Sequence, residues 1–158
     1  MLETRIRKVF SDEDIERLID KFENNTSTLP SVEYGNIKSA TVYDLNYSRE
    51  EFEEFNKQIT HHHILTNYYI EYVTGSHAEL HKDGKSNANV MTTITGLSSD
   101  YEGGEMTVGD DKFKLKKGET VYFHGTSTSH GVDLLTSGFR LVYVAWFNLD
   151  EPNYYTYT

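Results

Sequence analysis

Residues 63–84 read HILTNYYIEYVTGSHAELHKDG. Up to Val73 the run is β-branched and aromatic, Gly75 interrupts it, and an extended pattern resumes at His77. The spacing predicts a strand over 62–73, a tight turn, and a second strand over 77–83. Side chains alternate faces along a strand, so His81 and Asp83 project together while Leu80 and Lys82 point away. Two metal-binding side chains two residues apart can therefore serve one ion. His77 and Glu79 share that face and form a competing pair. The later pair is preferred because Asp83-Gly84 sits at a strand end, where a short carboxylate can turn towards a metal.

Working outward, the same short β-branched and aromatic runs continue to Phe147, with candidate strands at 88–96, 105–108, 112–115, 119–123, 130–135 and 139–147. Turn residues separate them at Gly103-Gly104, Gly109-Asp110, Lys117-Gly118 and Ser137-Gly138. In front, Ser11 opens a helix over about 11–24, with Ile15, Leu18, Ile19 and Phe22 on one face. Ser48-Arg49-Glu50-Glu51 opens a second over roughly 48–60, with Phe52, Phe55 and Ile59 on one face. Asn24 to Pro30 reads as a polar loop, and a short strand is expected around Ser39 to Tyr43. Eight short strands behind two covering helices predict a mainly β chain with a jelly-roll core, an architecture able to hold a small ligand. A sandwich without a cavity is the alternative. The chain is expected to be a single domain over 1–158, with a cover over about 1–61, a core over about 62–148 and a tail over 149–158.

Composition narrows the chemistry. The 158 residues include no cysteine, so disulfides, thiolate nucleophiles and thiolate metal sites are excluded, and any metal must use His and carboxylate. A net charge of -10 with scattered basic residues leaves no continuous footprint for phosphate backbones. The amino terminus has no hydrophobic signal core, and no apolar run is long enough to span a bilayer, so a cytoplasmic protein with no membrane or nucleic-acid partner is expected.

A third ligand must come from elsewhere. His130 opens a later predicted strand, and His124 competes with it. Two imidazoles and one carboxylate on one face of an octahedral ion leave three positions open, which suits non-heme iron(II) and oxygen chemistry. Arg140, ten residues after His130, is the only charged residue in the run Phe139 to Phe147. A charge entering a core needs a partner, and its planar fork could hold a carboxylate bidentately. Its strand is expected to run back beside that of His130.

The order His81-x-Asp83, Glu102-Gly103-Gly104-Glu105, Lys117-Gly118-Glu119, His130-Gly131-Val132 and Arg140 resembles the iron(II)/2-oxoglutarate dioxygenases of the prolyl 4-hydroxylase group. The start, Val9 to Asp14, also resembles that group's leading strand and helix. The resemblance implies a double-stranded β-helix (jelly-roll, cupin-like) core, with Fe(II) bound by His81, Asp83 and His130 and the far carboxylate of 2-oxoglutarate bound by Arg140. It implies that Tyr72 contacts the same cosubstrate and that Trp146 lies on the last strand near the site, where core packing is its other reading. It further implies O2 as co-reactant, ascorbate as reductant, and hydroxylation of a C–H bond coupled to decarboxylation of 2-oxoglutarate to succinate and CO2. A peptidyl proline is the substrate the resemblance points to, with a free amino acid or other small molecule as the alternative. Departures are His77, where the group often has an aromatic residue, and a short loop from Gly84 to Asn89. Substrate-covering loops are therefore expected from about 24–47 and 84–89.

Two further readings use the same residues. A nucleobase demethylase usually needs a basic groove and a second arginine, and no Arg follows Arg140. A jelly-roll binding module with structural histidines accounts for the fold but not for Arg140. The run His61-His62-His63 lacks a neighbouring carboxylate and reads as solvated surface, and the tyrosine-rich tail reads as a terminus.

Overall fold

The computed structural model describes residues 3–28, 36–45, 49–85 and 87–152. In chain order these form β1 (Arg5–Arg7), α1 (Asp12–Asn25), β2 (Thr26–Thr28), β3 (Ile37–Lys38), β4 (Thr41–Leu45), α2 (Arg49–Asn56), β5 (His62–Tyr72) and β6 (His77–His81). There follow β7 (Val90–Gly96), β8 (Tyr101–Gly103), β9 (Met106–Val108), β10 (Asp111–Phe113), β11 (Thr120–His124), β12 (His130–Val132), β13 (Leu135–Gly138) and β14 (Arg140–Pro152).

A seven-stranded sheet runs in the order β1-β11-β7-β14-β5-β4-β2, and a five-stranded sheet in the order β10-β9-β12-β6-β3. One core cluster joins residues of both sheets, among them Ile70, Ile94 and Val144 from the larger and Ala78, Val108 and Val132 from the smaller. The two sheets therefore face each other, and the chain has the jelly-roll fold. A second cluster sets Phe10, Ile15, Leu18, Phe52 and Phe55 against Tyr69, Leu141, Tyr143 and Phe147. The larger sheet is thus covered on both faces, which explains why β14 is apolar at almost every position. Its parity still divides the work. Leu141, Tyr143, Ala145 and Phe147 meet the helices, whereas Arg140, Val142, Val144 and Trp146 line the space between the sheets.

Both helices form where the apolar spacing predicts. The Ser11 Oγ accepts from the Asp14 backbone N–H at 3.1 Å and caps α1. α2 ends at Asn56 rather than near residue 60, and the Gln58 and Ile59 N–H groups close tighter turns on the Phe55 and Asn56 carbonyls. Its expected cap, Ser48, and most of the tail lie outside the described residues, as does part of the region expected to cover the site.

Four strand expectations need correction. Residues 26–28 form β2 rather than a loop, because Thr26 to Thr28 pair with Leu45 to Tyr43. The strand expected over 77–83 ends at His81. That expected over 130–135 is two strands, since β13 leaves the five-stranded sheet to pair with β8 in a separate ribbon. For the same reason β14 does not lie beside β12: it enters the larger sheet between β5 and β7.

Candidate active site

His81 ends β6, His130 begins β12, and the two are register partners. Asp83 lies two residues past the strand, where its backbone N–H donates to the Gly125 carbonyl at 2.9 Å. One ligand atom from each of the three lies within 4.8 Å of the others. His130 Nε2 stands 3.0 Å from Asp83 Oδ2, and His81 Nε2 stands 3.3 Å from Oδ1. The His130 ring is held between His81 and Phe123, with centroids at 4.3 and 4.6 Å.

A bulge decides which histidine of β6 faces the interior. His130 pairs with His81 but Val132 pairs with Ala78, so Glu79 and Leu80 together stand opposite Gly131. Strict alternation would send Ala78 and His81 to opposite faces; the extra residue lets both line the inner pocket. His77 and Glu79 line neither pocket at the site and join no ligand cluster among the described residues. The competing pair is thereby removed. A Cβ on Gly131 would stand 2.8 Å from the Ala78 carbonyl oxygen, so the bulge requires glycine opposite it. Gly131→Ala is expected to destabilise the fold by about 2–4 kcal/mol. A melting temperature within about 2 °C of wild type would show that the sheets accommodate the methyl group.

His124, the other competitor, is fully engaged elsewhere: Nε2 meets Asn89 Oδ1 and Nδ1 meets Ser127 Oγ, both at 2.7 Å. Of the histidine run, His61 is exposed, and none of the three joins a ligand cluster among the described residues. His62 and His63 are only half-buried, less exposed than expected, because β5 begins at His62.

The hydrogen bonds of the two interior histidines set their chemistry. His81 Nδ1 lies 2.7 Å from the Glu79 carbonyl and His130 Nδ1 lies 2.8 Å from the Thr128 carbonyl. A carbonyl only accepts, so each Nδ1 carries a proton and each ring turns its Nε2 towards Asp83, as an N–H donor when the ring is protonated and as a lone pair when it is not. Both Nε2 atoms and the carboxylate therefore converge on one point, as the ligands of a single cation do. Burial pushes the Asp83 carboxyl up, but hydrogen bonds from His130, His81 and Thr92 outweigh it and hold it well below the usual carboxylate range. Burial pushes His81 down, yet Asp83 and the Glu79 carbonyl raise it above its ordinary value. Both directions favour positive charge beside an ionised carboxylate, and the donor set of two imidazoles and a carboxylate fits Fe(II).

Two residues of the larger sheet reach across to Asp83. The Thr92 hydroxyl donates to Oδ2 at 2.6 Å and the Trp146 indole N–H donates to the same atom at 3.2 Å. They are cross-strand partners on β7 and β14. Trp146 therefore lines the site, as the sequence allows, and also packs edge-on against Tyr68. Thr92 escapes the sequence reading because β7 is buried along its whole length and shows no alternation. The missed signal was a hydroxyl on the same strand parity as Ile94, facing the interior and needing a partner.

Arg140 enters from the sheet opposite His81 and His130. It is 1% exposed, and its Nε and Nη2 atoms are buried without a hydrogen-bond partner among the described residues. Its register partner Tyr72 lies beneath it, with the ring centroid 4.9 Å from the guanidinium carbon. Burial raises the Tyr72 hydroxyl above its usual value, and Arg140 partly opposes this. Arg140, Tyr72, His81, Asp83 and His130 all line one inner pocket of about 50 Å³, walled further by Thr92, Trp146 and mainly aliphatic side chains. A buried guanidinium with Nε and Nη2 unsatisfied, in one pocket with a cluster suited to a cation, fits a small dianion that can bridge the two. A second pocket of about 260 Å³ shares His81, Asp83 and Trp146 and is walled further by Ile37, Val42, Tyr68 and Ile70.

Residues 65–148, more than half of the chain, match the family model described as the 2OG-Fe(II) oxygenase superfamily. Over 60 residues the chain is 38% identical to a PKHD-type hydroxylase of Psychrobacter sp. (strain PRwf-1), a match that takes in 35% of this chain and only 23% of that protein. A prolyl hydroxylase from Trichoplax adhaerens, solved in complex with a hypoxia inducible factor oxygen degradation domain peptide fragment, superposes with a TM-score of 0.69 at 10% identity, covering 93% of this chain and 84% of that one. HygX from Streptomyces hygroscopicus, with nickel, 2-oxoglutarate and hygromycin B bound, gives 0.66 at 14% identity, covering 96% and 83%. At such identities the two structures speak to the fold alone.

Proposed function

We propose, from the premise that this chain belongs to the 2OG-Fe(II) oxygenase superfamily, that it holds Fe(II) on His81, Asp83 and His130, sets 2-oxoglutarate against Arg140, and hydroxylates a peptidyl proline. The chain is an Fe(II)/2-oxoglutarate dioxygenase of prolyl-hydroxylase-like type; the residue roles and the substrate are our reading. The observation that carries the residue assignment is one pocket that holds a cluster of two imidazoles and a carboxylate together with a buried guanidinium whose Nε and Nη2 have no partner among the described residues.

When bound, the iron supplies with 2-oxoglutarate and O2 an oxidant able to hydroxylate an unactivated C–H bond, while the cosubstrate leaves as succinate and CO2. The protein's part is geometric. Arg140 holds the far carboxylate of the cosubstrate in a bidentate grip, with Tyr72 supporting the guanidinium from below. Ile70, Ile94, Val142 and Val144 exclude water from the pocket. Tyr68, Trp146, Val42 and Ile37 offer an aliphatic and aromatic surface to the substrate, which suits the apolar face of a pyrrolidine ring. Ascorbate serves as the reductant that keeps the metal ferrous, and the described residues work as one domain.

The first test is anaerobic titration with Fe(II) and 2-oxoglutarate, watching for the weak visible charge-transfer band of the chelate. Proline-containing peptides are then incubated with 2-oxoglutarate, O2 and ascorbate, and succinate and a gain of one oxygen in the peptide are measured by mass spectrometry. Stoichiometric coupling to a prolyl peptide is the expected result. Coupling to free amino acids or other small molecules, with peptides inert, would move the substrate assignment to that class.

A further inference from the structure

The two histidines are held by strands and by the carbonyls two residues before each, of Glu79 and Thr128, whereas Asp83 stands beyond β6 and depends on what grips its side chain. Its two oxygens are treated differently. Oδ2 accepts from Thr92 at 2.6 Å and from Trp146 at 3.2 Å, and His130 Nε2 stands 3.0 Å from the same atom. Oδ1 faces His81 Nε2 at 3.3 Å, an atom that is itself an acceptor in the neutral tautomer fixed by the Glu79 carbonyl.

The room for this grip is made by Gly125, in the turn after β11. A Cβ there would stand 2.0 Å from the Thr92 hydroxyl oxygen and 3.1 Å from Asp83 Oδ2. The same glycine accepts the Asp83 backbone N–H. Three separate pieces of chain, β7, β14 and the turn after β11, therefore converge on one carboxylate oxygen. Thr92 is 1% exposed, and its branched side chain restricts the directions the hydroxyl can take.

We propose that Thr92 and Trp146 are positioning residues that grip Asp83 through Oδ2, with Gly125 leaving space for the grip, so that the carboxylate meets the metal in a preset orientation. This rests on the proposed metal site. Hydrogen bonds of this kind orient a ligand before the ion arrives, and their loss typically weakens metal binding 10–100-fold. The grip also ties the ligand to the only tryptophan in the chain, so Trp146 emission reports the state of the carboxylate.

The test is anaerobic competition for Co(II) between the full chain and a chromophoric chelator, in wild type, Thr92→Val, Thr92→Ser and Trp146→Phe, with folding checked by circular dichroism. Thr92→Val is expected to weaken Co(II) binding about 10–100-fold, Thr92→Ser to restore it to within about threefold, and Trp146→Phe to fall between. Co(II) quenching of Trp146 emission should move to higher metal concentration in Thr92→Val by the same factor. Wild-type affinity in Thr92→Val overturns the proposal, and so does equal weakening in the valine and serine variants, which would make the contribution of Thr92 one of packing. Should Thr92→Val not fold, Trp146→Phe and Gly125→Ala decide, and unchanged affinity in both overturns it. A wild type that binds no Co(II) removes the metal site itself, an outcome distinct from one in which all variants bind alike.

Discussion

Arg140→Met is expected to stabilise the ligand-free protein while raising the 2-oxoglutarate concentration needed for half-maximal turnover by about a hundredfold or more. The two effects have one cause. Arg140 is almost wholly buried, and Nε and Nη2 have no partner among the described residues. A buried charge with two unsatisfied donors and no anionic partner among the described residues is unfavourable, and replacing buried ionic groups by apolar side chains of similar volume is often neutral or stabilising, by up to about 4 kcal/mol. For a chain of this length each kcal/mol shifts the melting temperature by roughly 2–4 °C, so an increase of several degrees should be visible by calorimetry. With 2-oxoglutarate present the order should reverse, because wild type gains stability from the bound dianion and the variant does not. Arg140→Lys should lie between, since it keeps a charge but loses the fork. A variant with unchanged cosubstrate requirement would remove Arg140 from the site, and a variant that melts lower would mean that the guanidinium already has its compensation.

The placement of these residues was only partly legible in the sequence. The helices and most of the larger sheet follow from periodicity because their apolar spacing is unambiguous: Ile15 and Leu18 on α1, and Phe52 and Phe55 on α2, are buried as their spacing requires. The order of motifs led to His81, Asp83, His130 and Arg140, and the structure brings all four to one pocket. What misled was the assumption of regular strands. The bulge at Glu79-Leu80 changes which residues of β6 share a face, and no local signal announces it except Gly131, which stands on another strand. The crossing of the chain between sheets after Val132 was hidden because Leu134 to Arg140 reads equally well as a hairpin turn. Thr92 and Gly125 were invisible for a different reason. Their importance lies in what Asp83 needs, and that is defined by contacts between residues nine and 42 positions apart.

Asp83→Asn is expected to leave the fold intact and reduce turnover on the order of a thousandfold or more, beyond the 10–100-fold typical of losing a residue that merely supports a ligand. The amide has nearly the shape of the carboxylate, so it fits where Asp83 fits. Thr92 and Trp146 both donate, and they select the amide oxygen for the position now held by Oδ2. That choice turns the NH2 group towards His81, whose Nε2 stands 3.3 Å from the other oxygen. The amide N–H then satisfies the lone pair that a metal would use, and the negative charge that collects the ion is gone. The variant should therefore melt at or above the temperature of the metal-free wild type while failing to retain Fe(II) in the anaerobic titration. Asp83→Ala and His81→Ala should abolish turnover as well, but each opens space, so lost activity there is less easily separated from lost structure. Asp83→Asn separates them. Full activity in this variant would sink the assignment of Asp83 as a ligand, whereas a folded protein without metal or turnover would tie the chemistry to one carboxylate oxygen.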